Sequence, residues 1–235
     1  MSNRILDALG PGERARLLPM LTTVSLPIKT VLFEPGEMIR AVHFPLDGVV
    51  SLVTPLEGGA IVEVATIGNE GIVGLPLRAG GSLAVRAISQ VAGSAARLDA
   101  TVFLAEADRR GQLGLLIGRY VQALFGQISQ AAGCNRLHTT EQRLSRWLLM
   151  SHDRVGVDEF LITHEFLGQM LGSQRATVTL SAGLLQAAGL IHYRRGEVTI
   201  LDRAGLEATS CECYAVIKRE LDEVVATPPP RFQQN

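Results

Sequence analysis

The sequence predicts an α+β chain in three parts: an N-terminal β jelly roll, a long dimerisation helix and a C-terminal winged helix-turn-helix. Three observations predict it. Seven of the ten prolines fall in the first 76 residues, between short β-favouring runs. Ile117, Val121, Leu124, Ile128 and Ala131 then follow one another at 4, 3, 4, 3, a heptad seam. Finally, two short helical patterns flank Gly172 and lead into a hairpin tipped by Arg194-Arg195-Gly196.

Taken in order, residues 3–22 read as short helices carrying Ile5, Leu6, Leu9, Leu17, Leu18 and Leu21. Strands follow at Thr30 to Phe33, Val49 to Val53 and Ala60 to Val64, with the last ones between Arg86 and Leu98. Pro27, Pro35, Pro45 and Pro55 and the glycines between them supply regular turn signals, as in an all-β sandwich or barrel. This sensor part spans 1–108, and the dimerisation helix 109–138. Two heptads are short for a free coiled coil, so the seam faces either the β domain or a second copy.

The third part spans 139–226. Thr139-Thr140-Glu141-Gln142 has the form of a capping box and starts a helix with Leu144, Trp147 and Leu148 on one face. Residues 151–160 read as a polar connection. Thr163 caps a helix holding Phe166, Leu167, Met170 and Leu171; Ser173 caps a second one, about 174–187, with Val178, Ala182 and Leu185 inward. A last helix is expected over 204–225, and the tail 227–235, with three prolines, reads as disordered.

Composition narrows the function. Of 235 residues, 47% are hydrophobic and 19% charged, which excludes a disordered chain. Three cysteines, an odd number, fit a reducing compartment better than a disulfide framework. The first 20 residues carry too many charges for a secretory segment. Arg119 and several glutamines interrupt the stretch from Gly111 to Asn135, so no membrane span is expected there. A cytoplasmic chain follows. Net charge is −1, yet residues 136–195 hold seven arginines against five acids, a small local excess.

The helix-turn-helix points to double-stranded DNA, because residues at the start of its second helix reach base edges in the major groove. Gln174, Arg175, Ala176, Thr179 and Leu180 occupy the outer face. The Arg175 fork can bond guanine O6 and N7 together. Thr163, Ser173 and Thr177 are placed to contact phosphates, and Arg194 and Arg195 would lie along the flanking backbone.

The run Ile162-Thr163-x-x-x-Leu167-Gly168-Gln169-Met170-Leu171-Gly172-Ser173-x-Arg175-x-Thr177-Val178 resembles the helix-turn-helix signature of the Crp/Fnr transcription regulators. Leu32-Phe33-Glu34-Pro35-Gly36-Glu37 and Phe44-Pro45-Leu46-Asp47-Gly48-Val49-Val50 resemble the start of their cyclic-nucleotide-binding-like jelly roll. The resemblance covers nearly the whole chain in the family's order. It implies a homodimeric bacterial regulator that binds two-fold symmetric DNA and contacts RNA polymerase, with an unidentified signal acting at the jelly roll. The chain also departs from the family. Ala176 and Leu180 stand where catabolite activators of the family carry an acidic residue and a second arginine, so the preferred DNA sequence should differ.

The effector cassette departs too. Gly68, Glu70, Gly71 and Arg86 are the nearest candidates for effector binding. Leu83 stands at the position of the family's phosphate-binding arginine, with Arg86 three residues on. A phosphodiester buried without its cation is costly, which argues against cAMP. No cysteine precedes Cys134, which argues against the family's N-terminal iron–sulfur cluster. No cofactor is therefore expected.

Cys211-x-Cys213 lacks a second cysteine pair and reads as packing or a passive surface pair rather than a metal site. Nothing in the sequence lowers the pKa of Cys134. The β region offers only His43, too little for a cupin-type metal enzyme. No catalytic triad can be argued from spacing, and no enzyme is expected. The rival reading is a ligand-binding module of cyclic-nucleotide type whose DNA contacts have lapsed.

Overall fold

The structure, a computed structural model, describes residues 2–75, 82, 84–109 and 111–226. The tail 227–235 and Leu83 lie outside the described residues.

The chain opens with α1 (Arg4–Asp7) and α2 (Pro11–Leu17). Asn3 starts α1 by accepting from the Ile5 and Leu6 amides, and its own amide donates to the Pro45 and Gly71 carbonyls. Among the described residues, seven strands follow: β1 (Thr22–Leu26), β2 (Val31–Phe33), β3 (Ala41–Pro45), β4 (Val49–Pro55), β5 (Ile61–Ile67), β6 (Arg86–Val91) and β7 (Gly93–Asp99). They form two antiparallel sheets, ordered β1-β7-β3 and β2-β6-β4-β5. Phe44 and Val42 from one sheet and Val50 and Ile67 from the other are buried. The sequence pattern passes over β1 and β3, whose apolar runs are short, and over α3 (Ala100–Asp108), capped by Asp99.

Next come α4 (Gln112–Leu137) and α5 (Thr140–Val155). The expected capping box is present: Thr139 accepts from the Gln142 amide while the Gln142 side chain accepts from the Thr139 amide. The helix then runs to Val155 and stops at Gly156, whose φ of 68° is left-handed. Residues 151–160 are therefore not a polar connection. Their first half is helix, with Arg154 and Val155 buried, and their end enters β8 (Glu159–Leu161).

The remainder is α6 (His164–Met170), α7 (Arg175–Ala187), the hairpin β9 (Ile191–Arg194) and β10 (Glu197–Ile200), α8 (Arg203–Thr209) and α9 (Cys213–Ala226). The wing is three-stranded, in the order β8-β10-β9. The expected single last helix is two helices. Asp202 caps α8, which ends at Ser210, and the chain restarts at Cys213.

One contiguous core joins the parts. It runs from Ile5 through the jelly roll to Tyr120, Trp147, Leu185 and Val224. Helix α4 lies along α9 and β5, with Leu113, Leu116, Ile117, Tyr120, Ala123, Gln127, Ala131 and Cys134 buried. This corrects the seam. Of its five expected residues, Ile117 and Ala131 are buried in their own chain and Leu124 is half-buried. Val121 (48% exposed) and Ile128 stay outside, joined by Phe125 at 70%. The open stripe is Gly118, Val121, Phe125, Ile128 and Ala132, again at 3, 4, 3, 4. Two heptad registers interleave on this helix, and tertiary packing takes one.

Candidate nucleic-acid interface and its junction with the jelly roll

Helix α6 begins at Thr163, whose hydroxyl accepts from the Phe166 amide. The turn that follows contains Gly172 at φ 57°, in the left-handed region. Helix α7 buries Val178, Ala182 and Leu185 and leaves Gln174, Arg175, Ala176, Thr177, Thr179 and Leu180 exposed. The outer face is the one read from the sequence.

Ser173 has a different role from the one expected. Gln174 is the N-cap of α7, and no side chain caps it. The Ser173 hydroxyl accepts from the Arg143 guanidinium at 2.7 Å, which also donates to the Leu171 carbonyl at 2.8 Å. A buried arginine of α5 therefore holds the turn that sets the angle of α7.

The wing is docked by Tyr193. Its hydroxyl donates to the Ile162 carbonyl, its amide to Gln186 of α7, and its ring stacks on His164 at 4.0 Å. His164 is held below the usual imidazole range by burial first and then by the charge of Arg175. Thr179 is partly committed, since its hydroxyl bonds the Arg175 carbonyl and His164 Nδ1. Arg194 and Arg195 are exposed at the wing tip, where Arg195 and Gly196 both have positive φ, as a tight two-residue hairpin requires. Arg195 and Thr163 also line a cleft against Ile28, Lys29 and Gln90 of the jelly roll.

The four effector candidates do not converge on one ligand position. Arg86 pairs with Glu34 at 2.7 Å. Glu70 is buried and pairs with Arg154 of α5 at 2.8 Å, and it also accepts from the Gly68 amide. Arg154 further donates to the carbonyls of Thr66 and Met150. Gly68 and Gly71 lack side chains for a local reason: a Cβ on the first would strike the stem of Arg154, and on the second the hydroxyl end of Tyr120. The glycine-rich turn is a packing joint between the jelly roll, α4 and α5. Sequence reasoning missed Arg154, because nothing local marks an arginine on a helix as the partner of a carboxylate 84 residues away.

Beside this joint, Glu63 of β5 accepts from Ser51 at 2.6 Å. Its pKa is raised to about 7, chiefly by burial, against the opposing pull of the Ser51 hydrogen bond and of Arg146 and Arg154. Between its unfolded value near 4.5 and this value, the folded chain holds a proton that the unfolded chain has lost. Stability from this group is full below about 4.5 and is lost as pH rises through about 7. Glu63→Gln should leave Tm near pH 4 unchanged and raise it at pH 8 by about 2–4 °C, ~1 kcal/mol. Calorimetry of both proteins across that range is the check.

These elements define a class of fold: a winged helix-turn-helix, the form of a DNA-binding domain, joined through a long helix to an N-terminal β sandwich. Residues 142–209 match the Crp-like helix-turn-helix domain, and the chain has the fold of the Crp/Fnr regulators. It is similar to FixK2 from Bradyrhizobium japonicum at 16% identity, over 81% of this chain and 98% of that one, with a TM-score of 0.70. It is also similar to the c-di-GMP responsive global regulator CLP of Xanthomonas campestris, at 18% identity, 81% and 99% coverage and a TM-score of 0.63. A CRP-family transcriptional regulator from Thermus thermophilus matches at 18% identity, 80% and 96% coverage and a TM-score of 0.64. No curated protein sequence matches the chain. Among the described residues, no helix is long and apolar enough to cross a membrane.

Proposed function

We propose that the protein is a cytoplasmic, non-enzymatic regulator that binds two-fold symmetric DNA as a homodimer through α7, contacts RNA polymerase, and works without cAMP. The observation that carries the DNA reading is the exposed N-terminal face of α7, with Arg175 on it and free of any ion pair among the described residues. The open stripe on α4 supports the dimer. Its residues keep heptad spacing while exposing Val121 and Phe125. Paired α7 helices would then read half-sites about one helical turn apart.

Operation without cAMP is supported at Glu70. Arg154 already satisfies that carboxylate, which leaves it turned to α5 and not to a ligand. A sensor signal would therefore act by opening the Glu70–Arg154 joint or elsewhere on the jelly roll.

The test is selection of bound duplexes from a random pool at one stated salt concentration, with and without cAMP, because non-specific binding depends steeply on salt. A two-fold symmetric motif enriched equally in both conditions is the expected result. Phe125→Glu, a charge placed on the α4 stripe, should yield a monomer by sedimentation and lose the motif. A motif that appears only with cAMP would overturn the effector reading. A dimeric Phe125→Glu protein would overturn the α4 interface.

A further inference from the structure

The three cysteines, scattered in sequence, meet in space. Cys134 lies near the end of α4, Cys211 in the break between α8 and α9, and Cys213 at the first residue of α9. Their side chains are buried to 1–3% exposure and form a small cluster of their own, apart from the main core. The Sγ atoms of Cys134 and Cys211 are 3.5 Å apart, well beyond a disulfide. His138, one helical turn after Cys134, brings its Nδ1 to 3.6 Å from Cys213 Sγ. All four ligand atoms lie within 4.8 Å of one another.

We propose that Cys134, His138, Cys211 and Cys213 form a tetrahedral Zn²⁺ site that pins the C-terminal domain to the end of α4. Three sulfurs and one imidazole are a donor set that zinc takes in closed structural sites. Around a metal with bonds of about 2.3 Å, the edges of the ligand tetrahedron are about 3.8 Å. The two short approaches, 3.5 and 3.6 Å, are close to that without any bond between sulfurs.

The surroundings fit the same reading. His138 turns its other nitrogen, Nε2, to the Glu212 carboxylate at 3.3 Å. A ligating imidazole is typically oriented in this way, by a carboxylate on the nitrogen that faces away from the metal. His138 keeps 17% of its side chain exposed, which leaves an entry path. Binding is Zn²⁺ exchanging for the protons of the thiols: three S–Zn bonds and one N–Zn bond form, and every remaining S–H proton passes to solvent. The product carries one negative charge, and the buried guanidiniums of Arg143 and Arg146 lie in its field. Arg143 is the residue that holds Leu171 and Ser173 at the start of α7. The metal would thus fix the end of α4 beside the turn that aims α7.

The experiment uses the full reduced chain, stripped of metal and titrated with Co²⁺, followed by Zn²⁺ competition. One equivalent of Co²⁺ should give the visible bands of a tetrahedral ion with thiolate charge transfer. Zn²⁺ should bleach them, and its removal should lower Tm by roughly 5 °C or more. Cys213→Ser should reduce the thiolate bands or weaken Co²⁺ binding at least about tenfold. His138→Ala, whose side chain is partly exposed, serves if the serine variant fails to fold. Absence of stoichiometric Co²⁺ binding by folded wild-type chain would overturn the proposal. So would octahedral spectra, or an iron–sulfur chromophore in place of zinc. None of these readouts involves DNA, so this proposal and the DNA reading fail independently.

Discussion

Arg154→Ala should destabilise the protein by about 3–5 kcal/mol, because it leaves the Glu70 carboxylate buried without its cation. Both side chains are nearly closed to solvent, at 4% and 6% exposure. The guanidinium also satisfies two backbone carbonyls, so the loss goes beyond one pair. Urea unfolding is the measurement. The single variant should also broaden or split the transition, since the joint couples the jelly roll to α5. The double variant Arg154→Met with Glu70→Leu removes both charges and should recover much of the loss, since a buried pair gains little over apolar packing of similar volume. A single variant within about 1 kcal/mol of wild type would show that water reaches the joint and that the jelly roll is not locked there.

Arg175→Ala should weaken binding to a selected duplex by about 10- to 100-fold while changing binding to a scrambled duplex far less. The side chain is exposed at the start of α7, where its loss opens no cavity, so the fold should stand. Arg175→Lys should not restore discrimination, because an ammonium lacks the planar fork that bonds two acceptors of one guanine. Fluorescence anisotropy on both duplexes at one salt concentration separates the two effects. An equal loss on both duplexes would make Arg175 a phosphate contact and move base reading to Gln174 or Thr179.

The parts of this site that were legible in the sequence are those whose cause is local. The capping box at Thr139, the turn at Gly172 and the inward spacing of Val178, Ala182 and Leu185 are set by backbone rules over a few residues. The Gly196 hairpin follows for the same reason. All appear as expected, apart from the cap of α7. There Ser173 is taken by Arg143, a partner 30 residues earlier that local spacing does not reveal.

The same division runs through the whole chain. Periodicity and turn chemistry act within a single element, so the order of parts, the class of fold and the outer face of α7 could all be read from the residues in line. That reading could not choose between two interleaved seams on α4, since both keep heptad spacing. The docking of α4 against α9 and β5 decided that. Nor could it join Glu70 to Arg154, or Cys134 and His138 to Cys211 and Cys213. Those encounters are made by packing between elements far apart in the chain. Burial then fixes what each group must do: a carboxylate shut from water needs a cation, and three thiols and an imidazole brought together form a ligand set.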